Sequence, residues 1–161
     1  MNTVIVYYSL EGNTDYAAKR IADITGADII RLYPKKTYPD KGFRKFLFGG
    51  KSAVMAETPE LEAYSFNSDK YERVIFGFPI WASNIAPPIR TFIKENNLIG
   101  KHISAFACQS GSGAEKAFEK LKACLNTDKL DYTLILIDPK LKPNEENNRK
   151  INEFCEALLH S

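Results

Sequence analysis

At 161 residues, 44% hydrophobic and 26% charged, the chain is long enough to bury a sizeable core and has a globular rather than a disordered composition. Three cysteines without CxxC spacing, Cys108, Cys124 and Cys155, argue against a disulfide framework or a zinc site and fit a reducing compartment. No apolar run approaches the ~20 residues of a membrane span, and Met1-Asn2-Thr3 runs straight into a strand-like segment. The expectation is a cytoplasmic chain folded as one domain over 1–161, with no membrane association.

The net charge of +2 is unevenly spread. From Arg31 to Lys51 seven basic residues (Arg31, Lys35, Lys36, Lys41, Arg44, Lys45, Lys51) face one acid, Asp40, so the window is +6 and the remaining 140 residues sum to −4. Tyr33, Tyr38, Phe43, Phe46 and Phe48 are interleaved with these charges. Such a stretch can grip phosphates or an acidic partner, or it can be a solvated loop whose aromatics pack inward. No recognition helix or RNA-binding signature accompanies it, so nucleic acid is not expected as a partner.

In chain order, apolar runs at 4–8, 28–33, 74–78, 103–107 and 132–137 are β-branched and aromatic with weak alternation. Strands buried on both faces of a parallel sheet read this way. Helical patterns lie between and after them. Residues 13–25 carry Ala17, Ala18, Ile21 and Ile24 before Gly26; Pro87-Pro88 opens a stretch with Ile89, Phe92 and Ile93. Residues 112–125 space Ala117, Phe118, Leu121 and Leu125 helically, and Ile151, Phe154, Cys155, Leu158 and Leu159 form a last stripe. The fold class expected is α/β, a five-stranded, doubly wound parallel sheet with helices on both faces. The irregular stretch 34–70 is predicted to hold a short helix over 42–56 and no domain boundary. In a sheet of this kind ligands bind beyond the carboxyl ends of the strands, which selects the segments after Tyr8, Phe78 and Ala107.

The first segment, Ser9-Leu10-Glu11-Gly12-Asn13-Thr14, leads directly into a helix. Gly12 permits a tight turn, Ser9 and Thr14 offer hydroxyls, and the amides at a helix start form an anion cradle. No Gly-Lys-Ser/Thr follows and no GxGxxG is present, so neither a triphosphate loop nor a dinucleotide fingerprint is read here. Glu11 is expected to turn its carboxylate to solvent. The second segment, Gly77-Phe78-Pro79-Ile80-Trp81-Ala82-Ser83, holds the chain's single tryptophan, either stacked on a flat ligand or packed on a neighbouring helix. The third, Cys108-Gln109-Ser110-Gly111-Ser112-Gly113, lets backbone approach a ligand closely.

The pattern of hydroxyl, two residues, Gly, Asn, Thr resembles the phosphate-binding loop of the flavodoxin family, whose ligand is flavin mononucleotide (FMN). The resemblance spans essentially the whole chain. It implies the strand order 2-1-3-4-5 and FMN contacts from Ser9, Leu10, Glu11, Gly12, Asn13 and Thr14, from Pro79, Ile80 and Trp81, and from Cys108, Gln109, Ser110, Gly111 and Gly113. The third loop departs from the better-known carriers of that family: no aromatic lies between Ala107 and Phe118, so only one flavin face has an aromatic partner. With a mildly basic total charge as well, a less negative potential for the second reduction is expected than in the strongly acidic members, which a redox titration reads.

Rivals of the same architecture fail on residues. A tyrosine-phosphatase loop needs a cysteine with arginine six positions on, and Ala114 occupies that place after Cys108. A receiver domain needs an aspartate at the third strand's end, where Phe78-Pro79 stand. Cys108 is read as a small buried hydrophobe. His102 and His160 are read as structural or exposed, and no catalytic side chain or metal ligand is expected. Two functions remain open: a carrier passing electrons between a reductase and an acceptor protein, favoured by the small size and the lack of a nicotinamide motif, and an FMN-dependent NAD(P)H:quinone-type oxidoreductase. The basic Arg31 to Lys51 segment could serve either, by docking an acidic partner or by holding a nicotinamide dinucleotide's phosphates.

Overall fold

The computed structural model describes residues 1–38, 51 and 55–161. Strands β1 (Thr3–Tyr7), β2 (Asp28–Arg31), β3 (Arg73–Pro79), β4 (His102–Gln109) and β5 (Thr133–Ile137) pair in parallel in the order β2-β1-β3-β4-β5. Parallel neighbours require crossovers. Helices α1 (Asn13–Thr25), α2 (Pro87–Glu95) and α3 (Ala114–Leu125) supply three of them, and α4 (Glu145–Leu159) closes the described chain.

The two-residue period of the strands sorts the core into two layers. Val4, Val6, Val74, Phe76, Phe78, Ala105 and Ala107 face one side and pack with Ile89 and Phe92 of α2 and Ala117, Phe118 and Leu121 of α3. Ile5, Tyr7, Ile75, Phe106, Leu134 and Leu136 face the other and pack with Ala17, Ala18 and Ile21 of α1 and Ile151, Phe154 and Leu158 of α4. Phe76, Phe92 and Phe106 are fully buried, and each such side chain contributes about 2–3 kcal/mol relative to exposure. Within the second layer Tyr7, Gly77 and Phe106 sit side by side across three strands. A Cβ on Gly77 would lie 2.2 Å from Phe106 Cζ, so the Phe106 ring occupies the space that any side chain at 77 would need.

Burial on both faces holds for the central strands only. In β2 the side chains are exposed or half-buried, with Ile29 41% exposed, and β5 alternates exposed and buried positions. Both are edge strands, covered on one side by sheet and only partly by helices. β3 and β4 also run farther than expected: Pro79 pairs with Cys108 within the sheet, so Pro79, Cys108 and Gln109 are strand residues rather than loop residues. α3 begins two residues late because Gly113 takes a left-handed φ of 110° at its N-cap.

After β2 the chain returns along the sheet edge through an antiparallel bridge between Pro34 and Leu61. Glu62 N donates to Tyr33 O (2.7 Å) and Lys35 N to Glu60 O (2.9 Å). Tyr64 and Phe66 then pack on the α2 side of the core. The helix expected over 42–56 lies, but for Lys51, Met55 and Ala56, outside the described residues. No helix among the described residues is long and apolar enough to cross a membrane.

Candidate functional site

Strand order reverses between β1 and β3, and the crevice that this opens at the carboxyl ends of the strands holds a cavity of about 470 Å³. Twelve of the fourteen predicted site residues line it: Ser9, Leu10, Glu11, Asn13, Thr14, Pro79, Ile80, Trp81, Cys108, Gln109, Ser110 and Gly111. Gly12 and Gly113 do not. Ala82, Ser83, Ser112 and Asp138 line it as well.

The first wall is the turn into α1. Gly12 caps the helix at φ 102°, a region that costs other residues roughly 1–2 kcal/mol, and Gly26 closes it at φ 72°. Within a helix the first amides lack acceptors. Ser9 Oγ takes the Asp15 N–H at 3.1 Å, which leaves the amides of Asn13 and Thr14 for an anion, with the positive end of the helix behind them. Thr14 and Ser9 are buried, whereas Glu11 is exposed, as its position demanded.

Beneath this turn lies a charged brace. Arg31 of β2 donates from Nη1 to Asp15 Oδ1 (3.1 Å) and from Nη2 to Ser9 O (3.3 Å), and Tyr7 OH donates to Asp15 Oδ1 (2.7 Å). Lys19 pairs with Asp15 at 2.8 Å. Burial alone would raise the Asp15 carboxyl, but the bonds from Lys19 and Tyr7 and the charge of Arg31 outweigh it and hold the group below its ordinary value. The Arg31 guanidinium also sits 5.0 Å from the Tyr33 ring centre. Arg31 therefore supports the turn from behind, with its charge engaged by Asp15. Lys35 is likewise paired, with Glu60 at 3.2 Å.

The second wall is a tight turn at 81–84. Asn84 N donates to Trp81 O (3.0 Å), and Ala82 and Ser83 both carry positive φ, 49° and 55°. Two successive left-handed residues without glycine store strain that the surroundings must hold. Buried Asn84 does so: its Oδ1 accepts from Arg90 Nη2 of α2 (2.7 Å) and from Ile85 N (3.1 Å). Trp81, expected to stack on a flat ligand or to pack on a neighbouring helix, is half-buried at the cavity and meets Tyr8 and Tyr38 edge-on, with ring centres 5.5 and 5.1 Å away.

The third wall joins the end of β4 to the loop after β5. A Cβ on Gly113 would approach Ser83 Oγ to 2.6 Å and Ser83 Cα to 3.0 Å, so this glycine lets two walls touch rather than lining the cavity. Gln109 Oε1 accepts the Ala114 N–H (3.1 Å), capping α3. The Cys108 thiol is 4% exposed and is pushed up to about 12 by burial, despite a hydrogen bond with Thr14 that pulls it down; nearby Asp138 raises it further.

Asp138 also lines the cavity, although it belongs to none of the three strand-end segments. It lies one residue past β5 with φ 40°, and its carboxylate is buried. Ser110 Oγ donates to its Oδ1 (2.7 Å), Asn13 Nδ2 reaches the same oxygen at 3.5 Å, and Lys142 pairs with Oδ2 at 3.5 Å. Asn13 Oδ1 in turn accepts the backbone N–H groups of Lys140 (2.9 Å) and Leu141 (3.2 Å). The only sequence signal was Asp138-Pro139 directly after a predicted strand, at the ligand edge of the sheet.

A family profile described as Flavodoxin matches residues 2–142. Among solved structures, a protein from Bacteroides eggerthii assigned to the flavoproteins superposes with a TM-score of 0.75 at 22% identity, covering 99% of this chain and 98% of that one. A flavoprotein from Lactobacillus acidophilus, solved in complex with FMN, gives 0.72 at 16% identity over 95% and 97% of the two chains. Oxidised flavodoxin 2 from Bacillus cereus gives 0.64 at 15% identity over 99% of each. At these identities the structural likeness speaks to the fold.

Proposed function

Because the chain belongs to the flavodoxin family, we propose that its cavity binds FMN and that the protein carries electrons between a reductase and an acceptor protein. The observation that carries this reading is the convergence of three strand-end loops on one cavity of about 470 Å³, within the ~300–1,000 Å³ usual for small-ligand sites.

The donor set fits this cofactor. Its phosphate needs anion-binding amides and hydroxyls without bulk between them, which Ser9, Gly12, Asn13 and Thr14 offer at the start of α1. Its ring system needs a flat apolar neighbour, which Trp81 and Ile80 offer on the second wall. The backbone around Ser110 and Gly111 is open enough to approach polar ring atoms. Bound FMN supplies reversible one- and two-electron chemistry that no side chain here has. The protein's share is to hold and orient it, to keep water from one side with Leu10, Ile80 and Trp81, and to fix the hydroxyl of Ser110. With its proton donated to Asp138 at 2.7 Å, that oxygen is left to accept from a ligand hydroxyl or N–H.

The reductase and acceptor would dock beside the cavity. Arg31 and Lys35 are already paired, so on this reading Lys36 and Lys51, both exposed, carry the attraction among the described residues. The alternative, an FMN-dependent NAD(P)H oxidoreductase, is separated by an anaerobic visible spectrum of FMN-loaded protein. A flavin band that persists with NADH and NADPH but bleaches with dithionite supports the carrier. Rapid bleaching by either nucleotide overturns it in favour of the reductase, and failure to retain FMN overturns both.

A further inference from the structure

The loop that enters α1 contains no lysine or arginine, yet a cation lies directly against it. The Lys140 side chain crosses Gly12: a Cβ at that glycine would stand 2.7 Å from Lys140 Nζ, 3.2 Å from its Cδ and 3.5 Å from its Cε. The approach is fixed at its base, because the Lys140 N–H donates to Asn13 Oδ1 at 2.9 Å and the next amide, Leu141 N, to the same oxygen at 3.2 Å. Among the described residues Lys140 makes no ion pair, unlike Lys142, two positions on, which pairs with Asp138 at 3.5 Å.

A lone ammonium group at a helix N-terminus meets the positive end of the helix dipole, an arrangement that is unfavourable unless an anion lies between or beside them. Glycine at position 12 also leaves the lysine free to reach across the turn, since a side chain there would obstruct it. We propose that Lys140, from the loop after β5, is the counter-charge for the phosphate of the bound flavin, and that it makes the site select the phosphorylated flavin over the neutral, unphosphorylated one. The inference rests on the FMN reading above and adds a residue about 130 positions from the loop itself. It also accounts for the Asn13 carboxamide, which spends its acceptor on placing the Lys140 backbone.

The test compares FMN with riboflavin, which lacks the phosphate, by fluorescence titration of the full chain at low salt and in 0.5 M salt conditions, a concentration on the order of that which shortens the screening length to a few ångströms. Wild type, Lys140→Met and Lys140→Arg are compared. Lys140→Met should weaken FMN binding roughly fivefold at low salt, leave riboflavin binding unchanged, and lose most of its difference from wild type at high salt. Lys140→Arg, which keeps the charge, should retain the preference. Equal weakening of both flavins, or no change in their ratio, would overturn the inference while leaving the FMN reading intact. A wild-type protein that binds neither flavin would overturn both, and a melting temperature for each variant checks that the fold is held.

Discussion

Asn13, the first residue of α1, and Asp138, the first residue past β5, are 125 positions apart and meet side chain to side chain at 3.5 Å in the floor of the cavity. Asn13 thereby closes the cavity: its Nδ2 reaches the carboxylate and its Oδ1 receives two backbone amides of the same loop. Asn13→Ala should strip both amides of their acceptor. Each such group costs about 1–3 kcal/mol if it stays dry, so a loss of about 2 kcal/mol in urea denaturation is expected, with weaker FMN binding. A variant as stable as wild type would show that the loop is held by other contacts.

The brace beneath the turn sets a pH dependence. The Asp15 carboxyl is held below its ordinary value in the folded protein, so its contribution is complete above the unfolded value near ~3.9 and disappears as pH falls through the folded one. Asp15→Asn should cost about 1 kcal/mol at pH 7. The gap between the two proteins should close on acidification from pH 5 downward, followed by urea midpoints. A gap that stays constant to acid pH would mean that the charge of Asp15 does not matter.

The turn at 81–84 offers an opposite pair of substitutions. Ala82→Gly relieves a positive φ of 49° and should gain about 0.5 kcal/mol after the added freedom of the unfolded chain. Gly113→Ala combines φ 110° with a backbone contact of 3.0 Å at Ser83, and should lose more than about 2 kcal/mol. Thermal melts of the two variants moving in the same direction would refute this account of the strain.

Trp81 is the flat apolar surface of the cavity. Trp81→Ala should lower FMN affinity about tenfold and reduce the quenching of flavin fluorescence on binding. Unchanged affinity and quenching would remove Trp81 from the flavin's surroundings.

Cys108 lines the cavity but is no reactive thiol. With its thiol pushed up to about 12, only a trace is thiolate at pH 8. A disulfide reagent at that pH should label Cys108 only after denaturant unfolds the protein. Rapid labelling of the native protein at this position would contradict its burial.

The sheet was legible because its signals are local. Residues 13–25 appear as a helix with the predicted bounds because glycines with positive φ stand at both ends, and the apolar runs mark strands even where their ends slip by a residue or two. Most cavity-lining residues were legible for a related reason: they follow strands, and the fold brings strand ends together. What escaped was anything set by pairing across the sheet. Arg31 reads as part of a basic patch, yet its guanidinium is engaged by Asp15, sixteen residues earlier. Asp138 and Lys140 look like ordinary loop charges until Asn13 and Gly12 are placed beside them. The exposure of β2 was missed because sequence carries no label for which strand ends up at the edge.

The row Tyr7, Gly77, Phe106 has an implication for how this chain can diverge. With the Phe106 ring lying where a Cβ at 77 would be, the two positions share one allotment of volume: position 77 cannot grow unless 106 shrinks, and a smaller 106 alone leaves a cavity. Among descendants of this sequence a larger residue at 77 should appear only in company with a smaller one at 106. A library randomised at both sites and selected for folding should recover the pair as a correlated exchange, large on one strand and small on its neighbour.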